Sequence, residues 1–201
     1  MKRLAGLSAL AVLTVGVSLP AQEAAAPTTH PYYPIKVGSE WTYKVQGGPI
    51  KMKIAGTEKV GQATGYKIEV TAGNKVSATE VVGVTPKGVE RYSVNGVAAE
   101  PSILFLPTDA ENAKEPWNID SKTAGQGGQP LKGTFKASKE KVTVPAGNYD
   151  TIHVKGSGMT VGSTTSDIDY WFAKDVGIVK LRFTLGSQEA VLELEKYEPG
   201  K

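Results

Sequence analysis

The residues with the greatest chemical potential in this sequence surround His153, one of only two histidines in the chain. A turn near Thr160-Val161 folds the flanking strands into a hairpin, and cross-strand pairing then brings the imidazole close to Asp167 or Asp169. A carboxylate that orients an imidazole beside a hydroxyl, here that of Ser166, is the beginning of a nucleophilic site. The sequence therefore places the parts of a His–Asp–Ser arrangement on neighbouring strands.

A simpler interpretation of His153 is structural. It alternates with Ile152 and Val154, which places it on the polar face of its strand beside Lys155. On that face an exposed, solvated pairing of the histidine with an aspartate is expected. We therefore predict no catalytic residue, and an enzyme comes third among the functions considered.

A metal site has less support still. Asp167 and Asp169 share one face of a strand, but the chain has no cysteine, and the other histidine, His30, precedes the predicted domain. A phosphate-binding glycine loop needs a helix behind it, and the sequence predicts no helix beyond the amino-terminal segment. We expect no metal and no cofactor.

The elements that must position these side chains are β-strands, because apolar and polar residues alternate with period two. Turns containing glycine separate the apolar runs, and Asn95-Gly96 is the plainest because both residues tolerate positive φ. Strands at such short intervals predict an all-β fold, an antiparallel meander forming a curved sheet, half-barrel or barrel of about ten strands. The alternating apolar positions include Ile50, Met52 and Ile54; Tyr66, Ile68 and Val70; and Leu181, Phe183 and Leu185.

The first 21 residues are typical of a secretory signal peptide. Met1-Lys2-Arg3 is positively charged, and residues 4–19 carry no charge. This run is shorter than the roughly twenty apolar residues that a membrane-spanning helix needs. Cleavage after Ala21, or in the nearby run Ala24–Ala26, releases an exported protein that is periplasmic or extracellular.

Length and composition favour a single domain after the signal peptide. Residues 22–31 are rich in Ala, Thr and Pro and predict a flexible linker, and residues 32–201 are long enough to bury a single core. Without cysteine, the protein has neither disulfides nor a lipid-modified amino terminus. Removing Lys2 and Arg3 with the signal peptide leaves 21 basic against 20 acidic residues. Both signs are evenly scattered along the chain and do not form a basic stripe, so we expect no nucleic-acid partner. After leader removal no transmembrane segment is expected.

Two halves of the chain carry similar short motifs in the same order. Trp41 opens a run that continues to Glu58-Lys59-Val60 and a tyrosine-led strand, and Trp117 opens one that continues to Glu140-Lys141-Val142 and another such strand. A duplication of a five-strand unit explains this order. A meander built of Lys, Gly, Val and aromatic residues also repeats such motifs by chance, so both explanations stay open.

Residues 107–133 form a polar segment dense in Gly, Pro, Asp and Asn. Such long connections are uncommon in compact domains and tend to be functional lids or disordered. Trp117, followed by Ile119, either opens a short strand, with residues 125–130 as the flexible part, or belongs to a lid over one mouth of the sheet. The lid is the functional hypothesis.

Three runs of the sequence resemble segments of a group of exported proteins. They are YPIKVGSEWTYKV (Tyr33 to Val45), EKVTVPAGNYDTIHVKG (Glu140 to Gly156) and YWFAKDVGIVKL (Tyr170 to Leu181). Similar segments recur in uncharacterised exported bacterial β-proteins, including domains of unknown function with half-barrel sheets like the lipoprotein carriers of the periplasm. The resemblance implies a fold and a compartment but no activity. This sequence lacks the lipid-modified cysteine that some relatives of that shape carry.

Two functions from different classes follow. In the first, the concave dry face of the sheet binds a hydrophobic ligand such as a lipid. In the second, the protein is an envelope or extracellular interaction module with a filled core, and its partner is an envelope protein or a polymer. The first function predicts a cavity lined by inward-facing side chains. The second predicts that those side chains contact one another and leave no cavity. The predicted ligand-binding residues are Trp117, Ile50, Ile54, Ile68, Val70, Ile152, Val154, Phe183 and Leu192.

Overall fold

The computed structural model describes residues 29–125, 128–161, 164–186 and 188–201. The predicted signal peptide and residues 22–28 of the predicted linker lie outside these ranges. Among the described residues, no helix has the length and apolar character needed to cross a membrane.

The described chain folds into twelve strands that form one closed barrel. Each strand pairs antiparallel with its neighbours in sequence, and β1 also pairs with β12, which closes the ring. The predicted all-β antiparallel meander is confirmed, with twelve strands where about ten were expected. The strands are β1 (Glu40–Lys44), β2 (Ile50–Val60), β3 (Ala63–Ala72), β4 (Lys75–Thr85), β5 (Gly88–Val94), β6 (Val97–Pro107), β7 (Trp117–Thr123), β8 (Pro130–Val144), β9 (Gly147–Val161), β10 (Thr164–Ala173), β11 (Gly177–Leu185) and β12 (Gln188–Glu198).

Strand β7 lies in the segment that the lid hypothesis treated as a cover over the sheet, and it confirms the alternative that Trp117 opens a short strand. Its sequence is polar, but Ile119 and Ser121 alternate onto the buried inner face while Asn118 and Asp120 face outward. Trp117 therefore opens a strand of the wall, and the lid hypothesis is wrong for this residue. The shared motifs of the possible duplication lie on β1 and β2 in one half and on β7 and β8 in the other. The halves are therefore β1–β6 and β7–β12, with six strands each and not the five that were expected.

The ring has one weak joint, between β6 and β7, which we call the β6–β7 seam. Its ladder consists of two register pairs, Ala99 with Thr123 and Glu100 with Lys122. Farther along, side chains of β7 replace backbone pairing. The Trp117 indole donates to the Leu104 carbonyl at 3.0 Å, and the Ser121 hydroxyl donates to the Pro101 carbonyl at 2.5 Å.

The two ends of the barrel differ in packing. At the end that holds the β8–β9 turn, the segment before β1 inserts Tyr33, whose ring meets Phe105 and Phe172 edge-on at centroid distances of 5.8 and 6.1 Å. We call this the packed end. The opposite end, which holds the β3–β4 turn, carries exposed apolar side chains, among them Val76, and is called the open end.

His30 anchors the segment before β1 to the packed end. Its side chain is buried, with 3% of the residue exposed. Nε2 lies 3.1 Å from the carbonyl oxygen of Pro107, and Nδ1 accepts a hydrogen bond from the Tyr32 backbone N–H at 3.2 Å. These partners fix the neutral tautomer that carries its proton on Nε2. The sequence interpretation placed His30 in the flexible linker, whereas the fold already includes it.

Protonation of His30 is expected to destabilise the protein. Burial lowers the pKa of His30, although the hydrogen bond to Pro107 acts in the opposite direction. The unfolded chain therefore binds the proton more readily, so this contribution to stability is present above the ordinary histidine pKa and is lost as the pH falls below it. Urea unfolding at about pH 7 and pH 5 should show a smaller loss of stability for His30→Gln than for the wild type. Equal losses in both proteins contradict the prediction.

Candidate functional site

The open half of the barrel contains an apolar cavity of about 370 Å³. This size lies within the range of small-molecule sites, about 300 to 1,000 Å³. A depression of about 420 Å³ near Tyr32 and Glu111 is an open, polar part of the surface and lacks such an apolar lining. The cavity wall is formed by Tyr33, Val45, Ile50, Met52, Ile68, Val70, Ser77, Ala78, Glu80, Arg91, Phe105, Ile168, Tyr170, Ile178, Leu181, Phe183, Ala190 and Leu192.

Five of the nine residues predicted from the sequence to bind a ligand line this cavity. They come from β11, β12, β2 and β3. These strands follow one another around the barrel, with the short β1 between β12 and β2. The inward face of this side of the barrel thus forms one continuous apolar wall. The five residues are Ile50, Ile68, Val70, Phe183 and Leu192.

The other four predicted residues lie elsewhere. Ile54, Ile152 and Val154 face inward but are fully packed in the core. Trp117 belongs to the β6–β7 seam, where its ring packs against Phe135 at a centroid distance of 5.7 Å. The interior is therefore divided, because one half is filled by side chains and the other half is not.

The inner end of the cavity, which we call the cavity floor, carries an ion pair. Nε of Arg91 donates to Oε2 of Glu80 at 2.9 Å, and Nη2 of Arg91 donates to the Tyr170 hydroxyl at 3.1 Å. The guanidinium also lies over the Phe105 ring, 5.0 Å from its centroid. The Tyr33 hydroxyphenyl group completes the floor.

The protonation states of the floor are set by burial and by the ion pair. Burial acts to lower the pKa of Arg91, but the charge of Glu80 and the hydrogen bonds to Glu80 and Tyr170 outweigh it and raise the pKa. Burial raises the pKa of both Tyr33 and Tyr170. The floor therefore presents a permanent cation, its carboxylate partner and two protonated phenols.

Sequence reasoning did not identify the floor. Val89 and Arg91 alternate on the inner face of β5, before a register shift that follows Arg91, and Ala78 and Glu80 do so on β4. The available signal was a charged residue at an inward position on each of two adjacent strands. Opposite charges at such positions predict a buried ion pair, since burying a charge without a partner costs free energy.

His153 and Asp169 form the core of a second polar cluster, on the outer face of the barrel. Nε2 of His153 lies 2.8 Å from Oδ1 of Asp169, and Nδ1 lies 3.0 Å from Oε2 of Glu140. The imidazole stacks on Trp171 at a centroid distance of 4.4 Å. Nε of Arg182 donates to Oδ2 of Asp169 at 3.0 Å.

This cluster decides between the two aspartates that the sequence left open, and it differs from the expected exposed pairing. Of the two candidates, Asp169 is the partner. It is 1% exposed, whereas a solvated carboxylate was expected, because Arg182 and His153 cover it. Ser166 pairs with Met159, six residues from His153 along β9. Both ring nitrogens of His153 face carboxylates, so neither contacts the Ser166 hydroxyl. The described residues include no group of three ligating side chains arranged for a metal ion.

Comparison with known proteins gives similarity to two solved structures. No family model matches the chain, and no curated protein matches it. A putative lipoprotein from Parabacteroides distasonis is 12% identical, with a TM-score of 0.44 over 85% of this chain and 99% of that one. A putative exported protein with a YmcC-like fold from Bacteroides fragilis is 13% identical, with a TM-score of 0.42 over 85% of this chain and 100% of that one.

Proposed function

We propose that this protein is an exported, non-catalytic binding protein for a hydrophobic small molecule such as a single-chain lipid. The observation that carries the proposal is the apolar cavity of about 370 Å³ in the open half of the barrel. Export is supported by the amino-terminal sequence, with its basic start and its uncharged apolar run.

The size of the cavity limits the ligand. A water molecule occupies about 30 Å³ of the liquid, so the cavity has room for about a dozen groups of that size. One acyl chain of about ten carbons with a small head group fills this space. A phospholipid with two long chains exceeds it.

A second function, contact with an envelope protein, is supported by the rim of the open end. Val76, Val94 and Val97 lie in strands next to the β3–β4 and β5–β6 turns and are exposed. Phe183 is exposed at the cavity mouth. Apolar side chains grouped around one end of a domain are a common feature of interaction surfaces.

Filling the cavity is expected to abolish ligand binding. Val70→Trp places an indole on the cavity wall, whereas the matched control Thr71→Trp places it on the outer face, one residue along the same strand. We expect Val70→Trp to bind the neutral fluorophore N-phenyl-1-naphthylamine at least about tenfold more weakly than the wild type. Thr71→Trp should stay within about a factor of two.

Fluorescence titration measures both variants, and native mass spectrometry of protein from an exporting host shows whether a lipid is bound. If the wild type binds neither the fluorophore nor an extracted lipid, the binding function is wrong. Partner capture then tests the envelope-protein function.

A further inference from the structure

We propose that the ligand enters head first and that its head group is uncharged and carries an oxygen acceptor, as in an amide, ester or alcohol. This inference rests on the proposed binding function and specifies its ligand. The juxtaposition of Arg91, Glu80 and Tyr33 at the inner end of an otherwise apolar cavity carries it.

The orientation follows from the distribution of polarity along the cavity. The wall near the mouth is apolar, with Ile50, Val70 and Phe183. The charged groups lie at the inner end, beside the packed Phe105 and Tyr170 rings. An amphiphile that enters chain first leaves these groups facing hydrocarbon, which is unfavourable for buried polar groups.

The floor offers more donors than its own acceptors use. A guanidinium has five N–H groups, and Arg91 directs one to Glu80 and one to Tyr170. No fully buried side-chain nitrogen or oxygen of the described residues lacks a hydrogen-bond partner, so the remaining nitrogen of Arg91 reaches open space. Because Arg91 lines the cavity, that space is the cavity. The complementary ligand atom is an oxygen acceptor.

The charge of the floor selects against an anion. Arg91 is already neutralised by Glu80 at 2.9 Å, and both side chains are largely shielded, at 16% and 26% exposure. A ligand carboxylate on the free side of the guanidinium adds a second negative charge without a second cation. Such a charge is costly away from water, whereas a carbonyl or hydroxyl oxygen accepts the same hydrogen bonds without it.

Three ligands with one chain length separate these contributions. Decanamide has a neutral acceptor head, decanoate is an anion at about pH 8, and decane has no head group. We expect wild-type protein to bind decanamide at least about tenfold more tightly than either of the others, since a hydrogen bond to a charged donor is among the stronger ones. Competition with N-phenyl-1-naphthylamine measures all three.

Two variants test the role of the ion pair. Glu80→Gln removes the compensating charge, so the preference should reverse toward decanoate. The control Glu58→Gln removes one negative charge from an exposed pair with Lys67 and should leave the preference unchanged. The double variant Arg91→Met with Glu80→Leu replaces the pair by apolar groups and should bind decane and decanamide equally. Circular dichroism confirms that each variant is folded.

Equal binding of the three ligands, or tighter binding of decanoate, by the wild type overturns the inference while the binding function stands. An unchanged preference in folded Glu80→Gln protein also overturns it. Failure of all three ligands and the fluorophore to bind overturns the binding function itself.

Discussion

Replacing Arg182 by methionine is expected to lower the free energy of unfolding by about 3 kcal/mol. This is the low end of values for leaving a buried charge without its partner, since Arg182 itself is 38% exposed. Arg182 donates through Nε and Nη2 to one carboxylate oxygen of Asp169, whose side chain is 2% exposed. Without the guanidinium this carboxylate stays buried with one partner fewer. The loss is at the low end because His153 still faces the other oxygen.

The double variant Arg182→Met with Asp169→Leu should recover at least half of that loss. It removes the buried carboxylate as well, and paired apolar replacements of buried ion pairs are often neutral or stabilising. The control Glu189→Gln removes an exposed carboxylate 3.6 Å from Arg182 and should cost less than about 1 kcal/mol. Urea unfolding measures all three proteins. A double variant as unstable as Arg182→Met shows that the buried charge is not the cause.

Replacing Phe105 by alanine is expected to cost about 3 to 5 kcal/mol of stability, the usual range for removing a buried aromatic ring. Phe105 is 1% exposed and lies at the centre of the aromatic cluster, with Tyr33, Tyr170 and Phe172 at centroid distances of 5.8, 5.8 and 6.2 Å. Its ring also supports Arg91.

Phe183→Ala is the matched control, because it makes the same change at a residue that is 40% exposed. We expect it to cost less than half as much as Phe105→Ala, since much of its ring is already in water. Thermal or urea unfolding compares the two. Equal losses contradict the assignment of Phe105 to the centre of the packed interior.

The sequence predicts the strands well because their signal is local. Alternation in runs such as Ile50 to Ile54 and Leu181 to Leu185 assigns each side chain to one face, whatever the strand pairs with. The polar β7 hides the same alternation, since only Ile119 interrupts its polar residues as a large aliphatic. Ring closure depends on the pairing of β1 with β12, which brings together Trp41 and Tyr197 from opposite ends of the chain. No local pattern encodes such a contact.

The cavity could be predicted only in part because period two gives the face of a side chain but not what fills the space before it. Val70 and Val154 are both inward-facing valines. Val154 meets the bulky side of the barrel, where Tyr170 is its register partner, and is fully buried. Val70 faces the side lined by smaller residues such as Ala78 and Ala190, where the cavity lies.

His153 shows the same limit for polar residues. Pairing rules correctly bring it near the aspartates of β10, but they do not give the burial of Asp169. That burial arises because Arg182 reaches across from β11 while the Trp171 ring lies flat against the imidazole. Long side chains from adjacent strands thus enclose a carboxylate on the outer face of the sheet, where alternation predicts exposure.

The β6–β7 seam is also the place where a free strand edge would arise first if the ring opened. A closed ring has no free strand edge, so edges arise only when the joint with the fewest backbone pairs opens. Opening here uncovers β6, whose run Ser102-Ile103-Leu104-Phe105-Leu106 has the uncharged, apolar, strand-forming character of segments that stack into cross-β assemblies. Trp117 and Ser121 occupy two carbonyls of that edge in the closed ring. These two bonds keep both carbonyls from pairing with another strand as long as the ring stays closed.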